Sequence, residues 1–199
     1  MPNHCMNDIN VFGESEAIDA LIQKIEVASE GDDEGFTFRA FVAPDEKVLH
    51  GSSGYGQFVR NAGVWERTPL TQEKAEALGV EFYDGQYGTD SDGVIYSKPE
   101  MQELGLKDWY NWNIDNWGTK WDAYEVDIDR VDSNNLRIHM ETAWAPPTPV
   151  IHAMQEQHPE LTISMEYDEE GMMFRGVVHP DGSVASEEYW SDEEEDLDV

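Results

Sequence analysis

Cysteine is almost missing from this 199-residue chain: Cys5 is the single one. No intrachain disulfide can close, and a zinc site built on thiolates lacks its ligands. Basic residues are nearly as scarce, with 12 Lys+Arg against 43 Asp+Glu and a formal charge of −31. So few cations cannot offset that field, which excludes direct binding of DNA, RNA or an anionic membrane through a basic face. Long apolar runs are missing too. No stretch approaches the roughly 18 residues of a membrane span, and the opening Met1-Pro2-Asn3-His4-Cys5 carries no basic leader region. A soluble, unexported protein of a reducing cytoplasm is therefore expected. What is present suffices for one modest core: 39% hydrophobic and 11% aromatic residues. One domain with appendages follows.

The hydrophobic pattern divides the chain into elements. Ile9, Val11 and Phe12 read as a first strand, and Ser15 as the cap of a helix with Ile18, Leu21, Ile22, Ile25 and Ala28 at helical spacing. Phe36, Phe38, Ala40 and Val42 alternate as a second strand stopped by Pro44. Residues from about 45 to 105 are richer in glycine and less periodic, an irregular insertion with two short helices. One starts near Thr68-Pro69, and the other has a Ser97/Glu100 capping box and a Gly105 stop. Trp109, Trp112 and Trp117 then lie on a helix ending at Gly118. Next comes a hairpin that turns through Asp132-Ser133-Asn134-Asn135. One strand places Tyr124, Val126 and Ile128 on one face; the other places Leu136, Ile138, Met140, Thr142 and Trp144 there. Matching those faces pairs Asp129 with Arg137 and Asp127 with His139, which would raise the histidine's pKa, and sets Glu125 against Glu141, a like-charge pair. Thr148-Pro149 opens a helix through Val150, Ile151 and Met154 that closes at His158-Pro159. Strands through Leu161–Tyr167 and Met172–Val178 follow. The expected architecture is α+β, an antiparallel sheet with helices on one face, over residues 1–186. Residues 187–199 hold eight acids and are expected to be a disordered acidic tail.

The segments Trp109-Tyr110-Asn111-Trp112 and Asn116-Trp117-Gly118-Thr119-Lys120-Trp121-Asp122-Ala123-Tyr124 are distinctive. So is Glu141-Thr142-Ala143-Trp144-Ala145-Pro146-Pro147-Thr148-Pro149-Val150. Together with Met1-Pro2-Asn3-His4, Asn7 and Gly13 near the start, and Tyr167, Glu170-Gly171, Phe174 and Gly176 near the end, they resemble the YubB-like ferredoxin-like domain family of phage and plasmid proteins. Asp122 stands where that pattern has asparagine. The resemblance implies a ferredoxin-like sheet, a mobile-element origin and hence a host cytoplasm. It implies no established activity.

No catalytic constellation stands out. With 43 acids, juxtaposed carboxylates carry no information about acid–base chemistry. Gly51-Ser52-Ser53-Gly54-Tyr55-Gly56 lacks the endings of a phosphate loop and of a nucleophile elbow, and reads as a flexible surface loop. Gly88, Asp90, Asp92 and Gly93 approximate half a calcium loop, but Pro99 occupies the place of the bidentate acid, so a turn is expected. The six histidines form no zinc pattern. No enzyme activity, cofactor or metal is expected. The tryptophans have two readings: core filling, or an aromatic pocket of Trp117, Lys120, Trp121 and Trp144 in which the lysine stacks on an indole.

The acidity has three competing explanations: salt adaptation, a generic module for a basic partner, and nucleic-acid mimicry. A folded monomer of this size exposes roughly 9,500 Å², so the excess charge averages one per about 300 Å². B-DNA, as a cylinder of roughly 10 Å radius, carries one per about 110 Å². Mimicry thus requires acids gathered on one face. On the first helix, Glu16, Asp19, Glu26 and Glu30 fall within an arc of about 80° over about 21 Å, and Asp32, Asp33 and Glu34 extend the line. The function expected is a non-enzymatic acidic accessory protein that binds a basic host protein. In its sharpest form it mimics DNA and inhibits a host nucleic-acid-binding or defence protein. The alternative is a salt-adapted small-ligand or peptide-binding module that uses the tryptophans.

Overall fold

The computed structural model describes residues 3–31 and 35–188. The chain forms two compact units, Met1–Ala43 with Asn113–Val199, and Pro44–Trp112. In the first, strand β1 (His4–Phe12) buries Cys5, Asn7, Ile9 and Val11 and turns Phe12 outward. Helix α1 (Ser15–Ala28) buries Ile18, Leu21 and Ile25. Its cap is Glu14, in extended conformation and without a side-chain bond. Ser15, expected in that role, instead accepts a hydrogen bond from Arg130 at 3.0 Å.

The expected strand through Phe36–Val42 does not form. A 3₁₀ turn (Phe38–Ala40) takes its place, with the Thr37 side chain accepting from the Arg39 amide. The alternation of apolar residues misleads here because a distant side chain fixes the backbone. Asp122 accepts from the Thr37 hydroxyl (2.6 Å) and the Phe38 amide (2.7 Å). Burial raises the Asp122 pKa against those hydrogen bonds. The released aromatics Phe36, Phe38 and Phe41 pack on one another as a buried cluster.

The second unit is more regular than its composition suggests. It contains β2 (Val48–Leu49), β3 (Ser53–Asn61), β4 (Val64–Arg67), α2 (Gln72–Leu78), β5 (Glu81–Thr89), β6 (Ile95–Ser97), α3 (Lys98–Leu104) and β7 (Lys107–Asp108). Four of these strands form an antiparallel sheet in the order β4-β3-β5-β6. The glycine-rich stretch expected as a loop enters β3, where Gly56 sits opposite Gly85. Aromatic rings replace the missing side chains: a Cβ on Gly56 would meet the Phe58 ring at 3.0 Å, and one on Gly85 the Tyr83 hydroxyl at 2.9 Å. Helix α2 begins after Thr71, three residues beyond the expected start, while Thr68 accepts from the Leu70 amide. Helix α3 has the expected Ser97/Glu100 capping box and ends at Gly105 in the left-handed region (φ 68). Glu100 also accepts from the Trp65 indole at 2.6 Å, which ties the helix to the sheet. Asp90 is a turn residue: it accepts from the Asp92 and Val94 amides and the Tyr96 hydroxyl.

Helix α4 (Trp109–Trp117) leads to β8 (Tyr124–Asp132), β9 (Asn135–Ala143), α5 (Thr148–Gln157), β10 (Thr162–Glu169), β11 (Phe174–Val178) and β12 (Val184–Glu188). The larger sheet runs β12-β11-β10-β1-β9-β8, antiparallel throughout. Within it, β1-α1-β8-β9-α5-β10 is the β-α-β-β-α-β arrangement of a ferredoxin-like fold. Strand β12 has no counterpart in the expected elements and takes the sheet two residues into the span expected as tail; residues 189–199 lie outside the described ones. The hairpin register agrees at Asp127↔His139 and Asp129↔Arg137. The expected Glu125/Glu141 clash is relieved by a bulge, since Tyr124 rather than Glu125 faces Glu141 and Glu125 takes φ 50.

Candidate functional site

Period-two alternation gives the larger sheet two unlike faces. On the covered face Ile9, Val11, Leu136, Ile138, Met140, Ile163 and Met165 are buried, as are Val150, Ile151 and Met154 of α5. A polar knot lies among them. The Asn7 amide donates to the carbonyls of Cys5 (2.9 Å) and Met140 (3.2 Å) and to the Thr142 hydroxyl (3.0 Å), which in turn donates to the Ala145 carbonyl (2.8 Å). Burial pushes the neighbouring Cys5 thiol up to about 12.

The other face is open and charged, and the strand register sets its layout. One row across β10, β1, β9 and β8 reads Asp168, Met6, Glu141, Tyr124; the next reads Glu166, Asp8, His139, Asp127; the third reads Ser164, Asn10, Arg137, Asp129. Arg175 and Val177 of β11 extend the first two. Two histidines are bound into this face. His139 Nδ1 lies 3.0 Å from Asp8, so the aspartate that touches it comes from β1 and not from β8, as expected from the hairpin alone. His4 Nδ1 lies 2.7 Å from Glu141 and 3.1 Å from the Tyr124 hydroxyl.

These fourteen positions carry six carboxylates and two arginines. With strands about 4.8 Å apart and same-face residues about 6.7 Å apart, they cover about 450 Å². Counting carboxylates and arginines alone, that is one net negative charge per about 110 Å², close to the density of B-DNA.

The ridge expected on α1 is thinner. Glu16, Asp19, Glu26 and Glu30 are all exposed, and the helix's one lysine, Lys24, reaches away to Gln157 and over the Phe41 ring. However, the helix stops at Ala28, so Glu30 stands in the following turn. Asp19 is paired with Arg130 at 2.6 Å. Asp32, Asp33 and Glu34 lie outside the described residues.

The residues of the expected aromatic pocket differ in burial. Trp117 is core: its indole donates to the Val42 carbonyl at 2.8 Å and its ring packs edge-on against Phe38. Lys120 does stack on Trp121, its Nζ 4.5 Å from a ring centre. Trp121 and Trp144 are exposed. Trp144 follows the end of β9 with φ 73 and so leaves the strand face on which alternation would place it. Gly118, which separates Trp117 from this segment, adopts φ 83, and a Cβ there would meet the Pro146 carbonyl and the Pro149 ring at 2.9 Å.

Among the described residues, no group of three His, Cys, Asp or Glu is placed to hold a metal ion, and no helix is long and apolar enough to cross a membrane.

Residues 120–198 match a family model described as the ferredoxin-like domain in Api92-like protein. That description differs from the YubB-like one suggested by the tryptophan segments, and the two share the ferredoxin-like domain. The match covers β8 to β12, while β1 and α1 precede it. Among solved structures, the chain is similar to the crystal structure of a protein api92 from Yersinia pseudotuberculosis. Identity is 11% and the TM-score 0.47, over 96% of this chain and 99% of that one. No curated protein matches the sequence.

Proposed function

We propose that this chain is a non-enzymatic acidic protein that binds a basic protein surface through the open face of its larger sheet. In the sharpest form of the reading it takes the place of nucleic acid on a host DNA-binding or defence protein and inhibits it. The observation that carries the reading is the charge density of that face. The sequence-wide average is too dilute to imitate a polynucleotide, but carboxylates two residues apart on adjacent strands reach the spacing needed. They are carried by a backbone already paired into the sheet, so binding has no backbone left to order there. Attraction of this kind acts mainly on encounter and selectivity, and weakens as salt rises.

The test is capture from host lysate at low and at moderate salt, with duplex DNA as competitor and identification by mass spectrometry. The expected result is one basic nucleic-acid-binding protein, retained at low salt and displaced by the duplex. Recovery of no specific protein at either salt, or of a protein that the duplex leaves in place, would overturn the reading. The salt-adapted alternative predicts a different behaviour, a melting temperature that climbs steadily into molar salt with no partner present.

A further inference from the structure

The open face is not uniformly flat. A depression of about 500 Å³ lies over β1, β10, β11 and β12. It exists because Val177 and Ala185, which face each other across β11 and β12, are short next to the side chains around them. Its lining combines two chemistries. Met6, Val177 and Ala185 give an apolar floor, while Asp8, Glu166 and Asp168 supply carboxylates and Arg175 the one cation. Three carboxylates against one guanidinium leave a surplus of two negative charges around an apolar hollow. A matching group must therefore be cationic at its tip and apolar along its stem.

We propose that this depression receives an arginine side chain of the basic partner, an inference that rests on the open-face reading above. Arginine fits better than lysine for physical reasons. Its guanidinium is planar and weakly hydrated, so it can lie against the floor while its paired donors meet a carboxylate in a fork. An ammonium group holds its water more tightly and gains less from the apolar floor. The geometry of the rim favours a fixed partner: Asp8 is steadied by His139 at 3.0 Å, and Glu166 stands across from Asp8 in the β1–β10 register.

The experiment compares an arginine–glycine repeat peptide with a lysine–glycine peptide of equal length and charge, both fluorescently labelled, against the full chain. The arginine peptide is expected to bind roughly fivefold tighter. The variant Ala185→Leu fills the hollow from an exposed position, keeps every charge and adds no ring on which a guanidinium could stack. It should abolish the preference and leave the lysine peptide's affinity unchanged. Should that variant fail to fold, Val177→Met fills the hollow from the facing position with every charge kept, and should likewise abolish the preference. Equal binding of the two peptides, or a preference that survives the filled hollow, overturns the inference and leaves the open-face reading intact. Binding of neither peptide at low salt overturns the open-face reading itself.

Discussion

The two faces of the larger sheet are built from the same strands, yet they obey different rules. Residues 5, 7, 9 and 11 of β1 are all buried, and the one polar residue among them, Asn7, is hydrogen-bonded three ways. Residues 6, 8 and 10 alternate with them and meet solvent beside a field of carboxylates. On the covered face each side chain is constrained by its neighbours, whereas on the open face the constraint is collective. The spacing of the carboxylates sets the potential a partner would meet.

Substitutions should separate the faces most sharply at Ile138 and its neighbour Arg137. Ile138→Ala leaves a cavity in the covered layer and is expected to cost about 2–5 kcal/mol in urea unfolding. Arg137→Ala should stay within about 0.5 kcal/mol. Comparable losses at both positions would show that the open face is covered after all. Next in size is Asn7→Ala, which leaves buried acceptors unpaired and should cost about 1–3 kcal/mol. On the open side, the double change Asp127→Lys with Glu166→Lys should lower affinity for a basic partner about tenfold at low salt, equivalent to about 1.4 kcal/mol. The melting temperature should barely move, and the affinity loss should fade as salt is added.

Smaller effects come from buried titrating groups. Asp122 has a raised pKa in the folded chain, so the folded state holds that proton more tightly than the unfolded state does. Its contribution favours the fold below the unfolded pKa and is lost as pH rises through the folded one. Asp122→Asn should remove that slope from a stability-versus-pH series, with its Oδ1 still accepting from the Phe38 amide and its Nδ2 donating to the Thr37 hydroxyl in place of the bond now received from it. The net change at neutral pH should be within about 1 kcal/mol. The smallest effect concerns Cys5. With its pKa at about 12, the thiol should not react with a maleimide at neutral pH until the chain is unfolded.

Much of this architecture is written in local pattern. Helical spacing marks α1 and α5, the Ser97/Glu100 box marks α3, and matching of apolar faces gives the pairing of Asp127 with His139. Where the reading fails, the cause lies elsewhere in the chain or in residues without side chains. The alternation of Phe36 to Val42 is that of a strand, but Asp122, far away in sequence, imposes a turn. Glycines 54 and 56 hide the period of β3 because rings from elsewhere complete it: Tyr87 of the paired strand at Gly54, and Phe58, two residues along, at Gly56. Strand β12, with Val184 and Ala185 followed by Ser186 and two glutamates, has no alternation to find. The open face is the most instructive case. Each of its acids is visible in the sequence, yet their gathering depends on the strand order β10-β1-β9-β8. Acids on β1, β9 and β10 meet only because α1 and α5 return the chain beside strands already laid down, and no one-dimensional spacing records that.

The bulge at Glu125 has a consequence for how molecules meet one another. Strand β8 ends the sheet on one side, and a regular strand there would offer its free amides and carbonyls as a template for a further copy. The extra residue throws the backbone out of step near the start of the strand, and the anionic side chains beside it repel an identical neighbour. Growth into fibrils from this edge is thereby discouraged at high concentration, and deleting Glu125 should make the protein more prone to assemble edge to edge.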